Sequence, residues 1–296
     1  MRLTLRARFT FTFAALILIS SVVLSLTLGL RARDMARRQI GEGLADAANH
    51  MAAQLDRSMW ARAKEVQVLA SLDIMQRPDN PAAVRHVLDR LREAIPLYSW
   101  VGLLDARGRV VEATGGILRG VDISQRPVFA QGRAGLFVGD VHDAVLLANL
   151  LPNPTGEAMK FVDVSMPLLA PDGTLRGVLA THLSWEWAGE VQRSILGSLK
   201  QTRGVDLFIV AADGTVLLGE GGLRGKPLRL PVVDRARGAQ HPAWAVEHWP
   251  GGADGDDGAA YGNGHLDFPG LGWTVVARQP LDVAYASVAE LMRDIF

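Results

Sequence analysis

An arginine, Arg126, sits in the stretch Asp122–Asp140, "DISQRPVFAQGRAGLFVGD", beside Pro127, Val128 and Phe129. Gly and Pro break this stretch too often for a core strand, and it is too apolar for an idle loop. A guanidinium presents a planar fork of N–H donors that meets a carboxylate with two parallel hydrogen bonds, and in a partly dry pocket such a pair sets affinity. The competing reading is a surface arginine, or an internal ion pair with Asp122 or Asp140. His182, in "GVLATHLSW", is a second candidate. On a strand its neighbours Thr181 and Leu183 point to the opposite face, and a pocket imidazole donates to an anion and changes charge at about pH 6.5. A core histidine bonded to the backbone is the alternative. Asp140 and His142 lie two apart, on one face of an expected strand, and with His182 could hold a metal. No standard ligand spacing supports this, so no metal site is expected. Trp100, Phe129 and Trp185 either line a pocket or pack the core.

Catalytic chemistry finds no motif. The chain has no G-x-S-x-G elbow, no H-E-x-x-H, no S-x-x-K, no P-loop and no dinucleotide fingerprint. "GGADGDDG" (Gly251–Gly258) crowds three acids but lacks the closing Glu of a calcium loop, and reads as a solvated loop. The expectation is a chain that is not an enzyme and carries no cofactor.

The elements that must hold these residues follow from patterning. The chain has 296 residues, a formal net charge of zero and no cysteine. The balanced charge gives no nucleic-acid footprint, and a chain without thiols suits an oxidising or a reducing compartment equally. Phe9–Leu30 carries no charge over 22 residues, enough to cross a bilayer. Its exit, "GLRARD", lacks a small-x-small site, so an uncleaved anchor is preferred to a cleaved signal. Arginines flank the span on both sides, so charge alone does not orient it; a short tail before a large module favours a cytoplasmic N-terminus and a periplasmic bulk at the inner membrane.

Beyond the span, Ile40, Leu44, Ala47, Met51, Leu55, Met59, Ala63, Val66 and Leu69 follow steps of three and four, one apolar stripe on a long helix. That stripe would pair with the same helix of a second copy, giving a homodimer, or pack on the chain's own sheets. A second helix covers Ala82–Ala94. After Pro96 the period changes to that of strands: Tyr98–Asp105, Arg109–Thr114, Leu136–His142, Lys160–Ala170 and Leu175–Trp185. A helix from Glu186 to Gln201 leads to a weaker copy: a hairpin at Val205–Gly219, an irregular segment to about Gly264 and a closing strand, Gly272–Pro280. The strand–turn–strand unit recurs at Asp105, Asp172 and Asp213, where Asp and Gly suit tight turns. The fold class read from this order is α+β, a membrane helix and a long helix followed by two tandem antiparallel-sheet modules.

This order, with "YSWVGLLDARGRVVEAT", "DISQRPVFAQG", "FVGDVH", "FVDVSMPLLAPDGTLRGVLATHLSW" and "GWTVVARQP", resembles the double Cache (dCache) family of bacterial extracytoplasmic sensors over roughly residues 31–296. The resemblance implies two PAS-like modules between membrane helices in chemoreceptors, histidine kinases and diguanylate cyclases; the wording around Gly156–Ala188 looks most like the cyclase-linked kind. It implies a cytoplasmic tail at 1–8, a membrane helix at 9–30, a signalling helix at 31–77, a membrane-distal ligand-binding module at 78–202, a membrane-proximal module at 203–280, and an exit helix at 281–296 toward a second span. The ligand would lie in the distal module. Members that bind amino acids hold the carboxylate with an Arg that matches Arg126, beside two aromatics that fall at Val128 and Phe129. The acid at the pocket's far wall matches Asp140, and their amine-binding Asp falls at His182. With one aromatic and that Asp replaced, the resemblance points to a small carboxylate other than a standard amino acid, with Trp100, His142 and Trp185 as further lining. The other reading is a periplasmic partner-binding module without a small-molecule ligand.

Overall fold

The computed structural model describes residues 5–153, 156, 158–220, 222–250 and 254–286. Helix α1 runs unbroken over Leu5–Ser71. No proline occurs before Pro78, so nothing removes a backbone donor along that length. Its residues 9–30 are exposed almost throughout, and α1 is long and apolar enough there to cross a membrane. A short α2 (Asp73–Gln76) and α3 (Pro81–Ala94) follow. Asn80 caps α3, its side chain accepting from the Ala83 amide at 3.2 Å with Pro81 at the first helical position.

Two sheets come next. The first contains β1 (Tyr98–Asp105), β2 (Val110–Ala113), β3 (Phe137–Val138), β4 (His142–Asp143), β5 (Lys160–Leu169) and β6 (Leu175–Ser184), with a single-turn helix α4 (Pro127–Ala130) between β2 and β3. Helix α5 (Glu186–Arg203) leads to the second sheet: β7 (Asp206–Val210), β8 (Val216–Leu218), α6 (Pro231–Ala239), β9 (Ala243–His248), β10 (Asp254–Tyr261) and β11 (Thr274–Pro280), then the short α7 (Leu281–Ala284). Strand order is β2-β1-β6-β5-β3 in the first sheet, with β4 also on β5, and β8-β7-β11-β10-β9 in the second. The two orders match: a hairpin, the last strand inserted beside its first member, then two more, all antiparallel. The fold is α+β with tandem PAS-like sheets, as expected from the sequence.

The three repeated turns close alike. Asp105, Asp172 and Asp213 each accept, through Oδ1, from the amide two residues on, and Gly108, Gly173 and Gly214 supply φ of 87°, 81° and 92°.

One face of each sheet packs on α1. Val101, Leu103, Val162, Val164 and Leu179 of the first sheet, and Leu207, Ile209, Ala260 and Val275 of the second, join Leu44, Met51, Leu55, Met59, Ala63 and Val66 in a single core. Ile40, Ala47 and Leu69 pack at its margin, so the whole stripe is spent inside the chain. That corrects the expectation for the stripe itself, which packs on the chain's own sheets, the alternative the sequence offered, rather than on the same stripe of a second copy. Close approach explains the small residues. A Cβ on Gly258 would lie 2.1 Å from the Ala45 nitrogen, and one on Gly41 2.3 Å from the Trp244 ring. Gly41, which weakens a helix by propensity, is thus fixed by packing.

Three further expectations are corrected. Gly251–Gly258 was expected as a solvated loop. From Asp254 it is strand β10, with Asp256 and Asp257 fully buried; residues 251–253 lie outside the described residues. Glu220–Gly264 is not irregular, since it holds α6, β9 and β10. Leu136–His142 is two short strands with a break between, because the Gly139 amide still reaches the Asp163 carbonyl while Asp140 turns away. The expected exit helix at 281–296 lies outside the described residues beyond 286.

Candidate ligand-binding site

The other face of the first sheet carries Trp100, Leu104, Phe161, Val178 and Ala180, and the segment from Ile123 to Leu147 covers it with Ile123, Val128, Phe129 and Leu147. Between sheet and cover lies a cavity of about 60 Å³ lined by Leu118, Arg126, Val128, His142, Phe161 and His182, with the rim at 143–147. At about 10–15 Å³ per water, this holds only a few waters, so a ligand is small or moves the rim. A larger cavity of about 340 Å³ lies at the junction of the modules, lined by Trp60, Lys64, Phe137 and Leu271 among others. Its charges, Lys64 and Asp267, already pair with each other, whereas Arg126, His142 and His182 converge on the smaller one.

Arg126 precedes α4. Pro127 at the first helical position holds it extended, at φ −79° and ψ 142°. Its side chain is half-buried and makes no hydrogen bond or ion pair among the described residues. The internal pairs the sequence allowed are not made: Asp122 caps the Ser124 amide, and Asp140 accepts from the Trp273 indole at 2.7 Å.

His182 stands on β6 on the face of Val178 and Ala180, opposite Leu179 and Leu183, as strand alternation requires. Its ring lies between Trp100 and Phe161, centroids 5.4 Å from each. Its Nδ1 is 2.5 Å from Asp163 Oδ1, and His142 Nε2 is 2.8 Å from that same oxygen. Asp163, opposite His182 on β5, is 4% exposed. Burial pushes its carboxyl up, but the two imidazoles outweigh this and hold it at about 2. His142 is raised, chiefly by the Asp163 hydrogen bond acting against burial, with help from the Asp143 carbonyl. Both ring nitrogens of His142 face acceptors, Asp163 and the Asp143 carbonyl at 3.2 Å, so without another cation both are satisfied only by the imidazolium.

Arg126, His142, His182 and Val128 therefore come together at the cavity. Trp100 and Phe129 lie in the core beneath it: Trp100 donates to the Ile117 carbonyl, and Phe129 has Arg133 over its ring at 6.0 Å. Asp140 and Trp185 lie elsewhere. Asp140 reaches the second module, and Trp185 packs on Trp273, centroids 5.1 Å apart, on the α1 side of the sheet. Both sit at the module junction because the chain breaks after Gly139 and β6 ends before Trp185. Sequence reasoning missed Asp163. The signal was a lone acid inside the apolar run "FVDVS", a buried charge that needs partners.

No family model matches the chain, and no curated protein does. Solved structures do. The ligand-binding domain of the Pseudomonas fluorescens chemoreceptor CtaA in complex with L-leucine is 17% identical, covers 85% of this chain and 99% of its own, and superposes with a TM-score of 0.58. The chain has the double Cache fold. The ligand-binding domain of the Campylobacter jejuni chemoreceptor Tlp3, in complex with 4-methylisoleucine, is 11% identical over 84% of this chain and 94% of its own, with a TM-score of 0.61. That of the Pseudomonas aeruginosa PAO1 amino acid chemoreceptor PctC, in complex with GABA, is 20% identical over 81% and 99%, with a TM-score of 0.58. At these identities the likeness establishes the double Cache fold and leaves the ligand to the residues of this chain.

Proposed function

We propose that this chain is the extracytoplasmic sensor of a membrane signal transducer, and that its distal module binds a small carboxylate at Arg126. The observation that carries the reading is a guanidinium without a partner among the described residues, facing a cavity whose other polar side chains are His142, His182 and an Asp143 already paired with Lys160. A fork donor without an internal acceptor has its hydrogen-bonding capacity left for a ligand. Neighbours of this fold that bind amino-acid ligands support it. Asp163 is taken up by two histidines and Asp143 by Lys160, which leaves neither carboxylate free for an amine; this favours an organic acid over an amino acid. In this reading α1 enters from the cytoplasm, crosses the inner membrane at 9–30 and carries the distal module outside. Ligand binding shifts the cover segment, and through it α1, toward an output module of cyclase, kinase or chemoreceptor type. The chain itself is a sensor without catalysis.

The test is thermal shift of the full chain in detergent against acetate, succinate and α-amino acids, with Arg126→Ala alongside. A saturating binder raises the melting temperature by mass action. The expected result is a carboxylate response lost in the variant. A response that survives in it removes Arg126 from the site. No response from any acid moves the weight to a protein partner on the distal module.

A further inference from the structure

We infer that His142, Asp163 and His182 form a binding site for a divalent transition metal ion of the zinc class at the floor of the same cavity. Their ligand atoms, two imidazole nitrogens and a carboxylate oxygen, lie within 4.8 Å of one another. They come from three adjacent strands, β4, β5 and β6, with Asp163 directly opposite His182, so the backbone holds them in place. Two nitrogens and one oxygen suit zinc, nickel or copper and disfavour magnesium or calcium, which require oxygen.

The surroundings orient the donors as a metal site requires. The Nδ1–H of His142 faces the Asp143 carbonyl at 3.2 Å, which fixes the tautomer whose Nε2 lone pair points toward Asp163. Metal-bound histidines characteristically donate their other nitrogen to a carbonyl or carboxylate in this way. The His182 ring is held between Trp100 and Phe161. Both imidazoles converge on one oxygen, Asp163 Oδ1, each needing an N–H there; one divalent ion replaces those two protons and meets all three donors. Three protein ligands leave a coordination position open, and since both histidines line the cavity with Arg126, an oxygen of an anionic ligand is the group placed to complete it. Only this last step rests on the sensor reading; the metal site stands on its own three residues.

The experiment is calorimetric titration of the EDTA-stripped full chain in detergent with zinc chloride, magnesium chloride serving as control. The expected result is one equivalent of zinc bound and no magnesium heat. His142→Ala, at a side chain 42% exposed, should weaken zinc at least tenfold, and Arg126→Ala should leave it unchanged. Melting curves of His142→Ala and His182→Gln establish that the variants are folded, and zinc should raise the melting temperature of the parent and of Arg126→Ala well above its effect on these two. No saturable zinc heat, or equal heat in His142→Ala, overturns the inference. Succinate titrated in EDTA reads the carboxylate site separately: its binding without zinc and without any zinc heat leaves the sensor reading standing and removes the metal. Zinc bound without a succinate response keeps the metal and removes the carboxylate.

Discussion

Asp140 Oδ1 accepts the indole N–H of Trp273 at 2.7 Å, joining the break between β3 and β4 in the first module to the residue just before β11 in the second. Two residues further along the chain, His142 enters the cavity. The site and the second module therefore share one short piece of backbone. Asp140→Ala leaves the Trp273 N–H, on a 4% exposed residue, without its acceptor. That should cost about 1–3 kcal/mol, read as a lowered denaturation midpoint. Asp140→Asn, which keeps an acceptor oxygen, should recover most of it.

Arg126→Lys separates charge from shape. An ammonium keeps the positive charge but loses the planar fork. Carboxylate affinity should fall by about tenfold, or about 1.4 kcal/mol, less than in Arg126→Ala, while the melting temperature without ligand stays within error because the side chain has no internal partner to lose.

The pH dependence of stability should carry the mark of Asp257. Its carboxyl is pushed up to about 8, first by burial, with Glu247 and Asp256 adding to this and the Trp249 indole and Arg278 opposing it. Unfolded, it titrates near 3.8. Between those values the folded state holds a proton that the unfolded state lacks, so this group makes stability fall as pH rises, by up to about 1.4 kcal/mol per unit, with no further loss above about 8. Asp257→Asn removes that dependence. Its stability advantage over the parent should be absent near pH 4 and grow through pH 8, measured by urea unfolding at each pH. Parallel curves would exclude the buried proton.

Two glycines on facing elements should respond in opposite directions. Gly258→Val drives a side chain into the Ala45 backbone and should cost about 3 kcal/mol or more. Gly43→Ala meets nothing within 4 Å and should gain about 0.5–1 kcal/mol from helix propensity. Thermal unfolding of the two variants decides both.

The sequence showed most clearly what rests on period and turn chemistry. The apolar steps from Ile40 to Leu69, and the hairpin turns at Asp105, Asp172 and Asp213, are local signals and appear where expected. Strand β10 could not be read this way. Up to Tyr261 its residues are Asp, Gly and Ala, and Gly258 lies against the backbone of Ala45 in α1, a long-range contact that leaves no alternation in the sequence. Within the site, Arg126 and His182 were visible as polar residues in apolar company. Asp163 was equally visible, but its two histidine partners come from different strands, and only the sheet register brings them onto it. The direction of the stripe on α1, inward rather than toward another copy, was likewise a matter of tertiary packing.

Helix α1 passes from residue 5 to residue 71 without a break, and its first buried contact with the sheets is near Gly41. The ten or so residues between the apolar span and that contact therefore act as a shaft whose angular phase is set by residue count alone. Each residue added there turns both modules by about 100° relative to the apolar segment 9–30, whereas seven bring them nearly back into phase, about 10 Å further along. The length of this collar, more than its composition, fixes which side of the two sheets lies in line with a given face of the apolar segment.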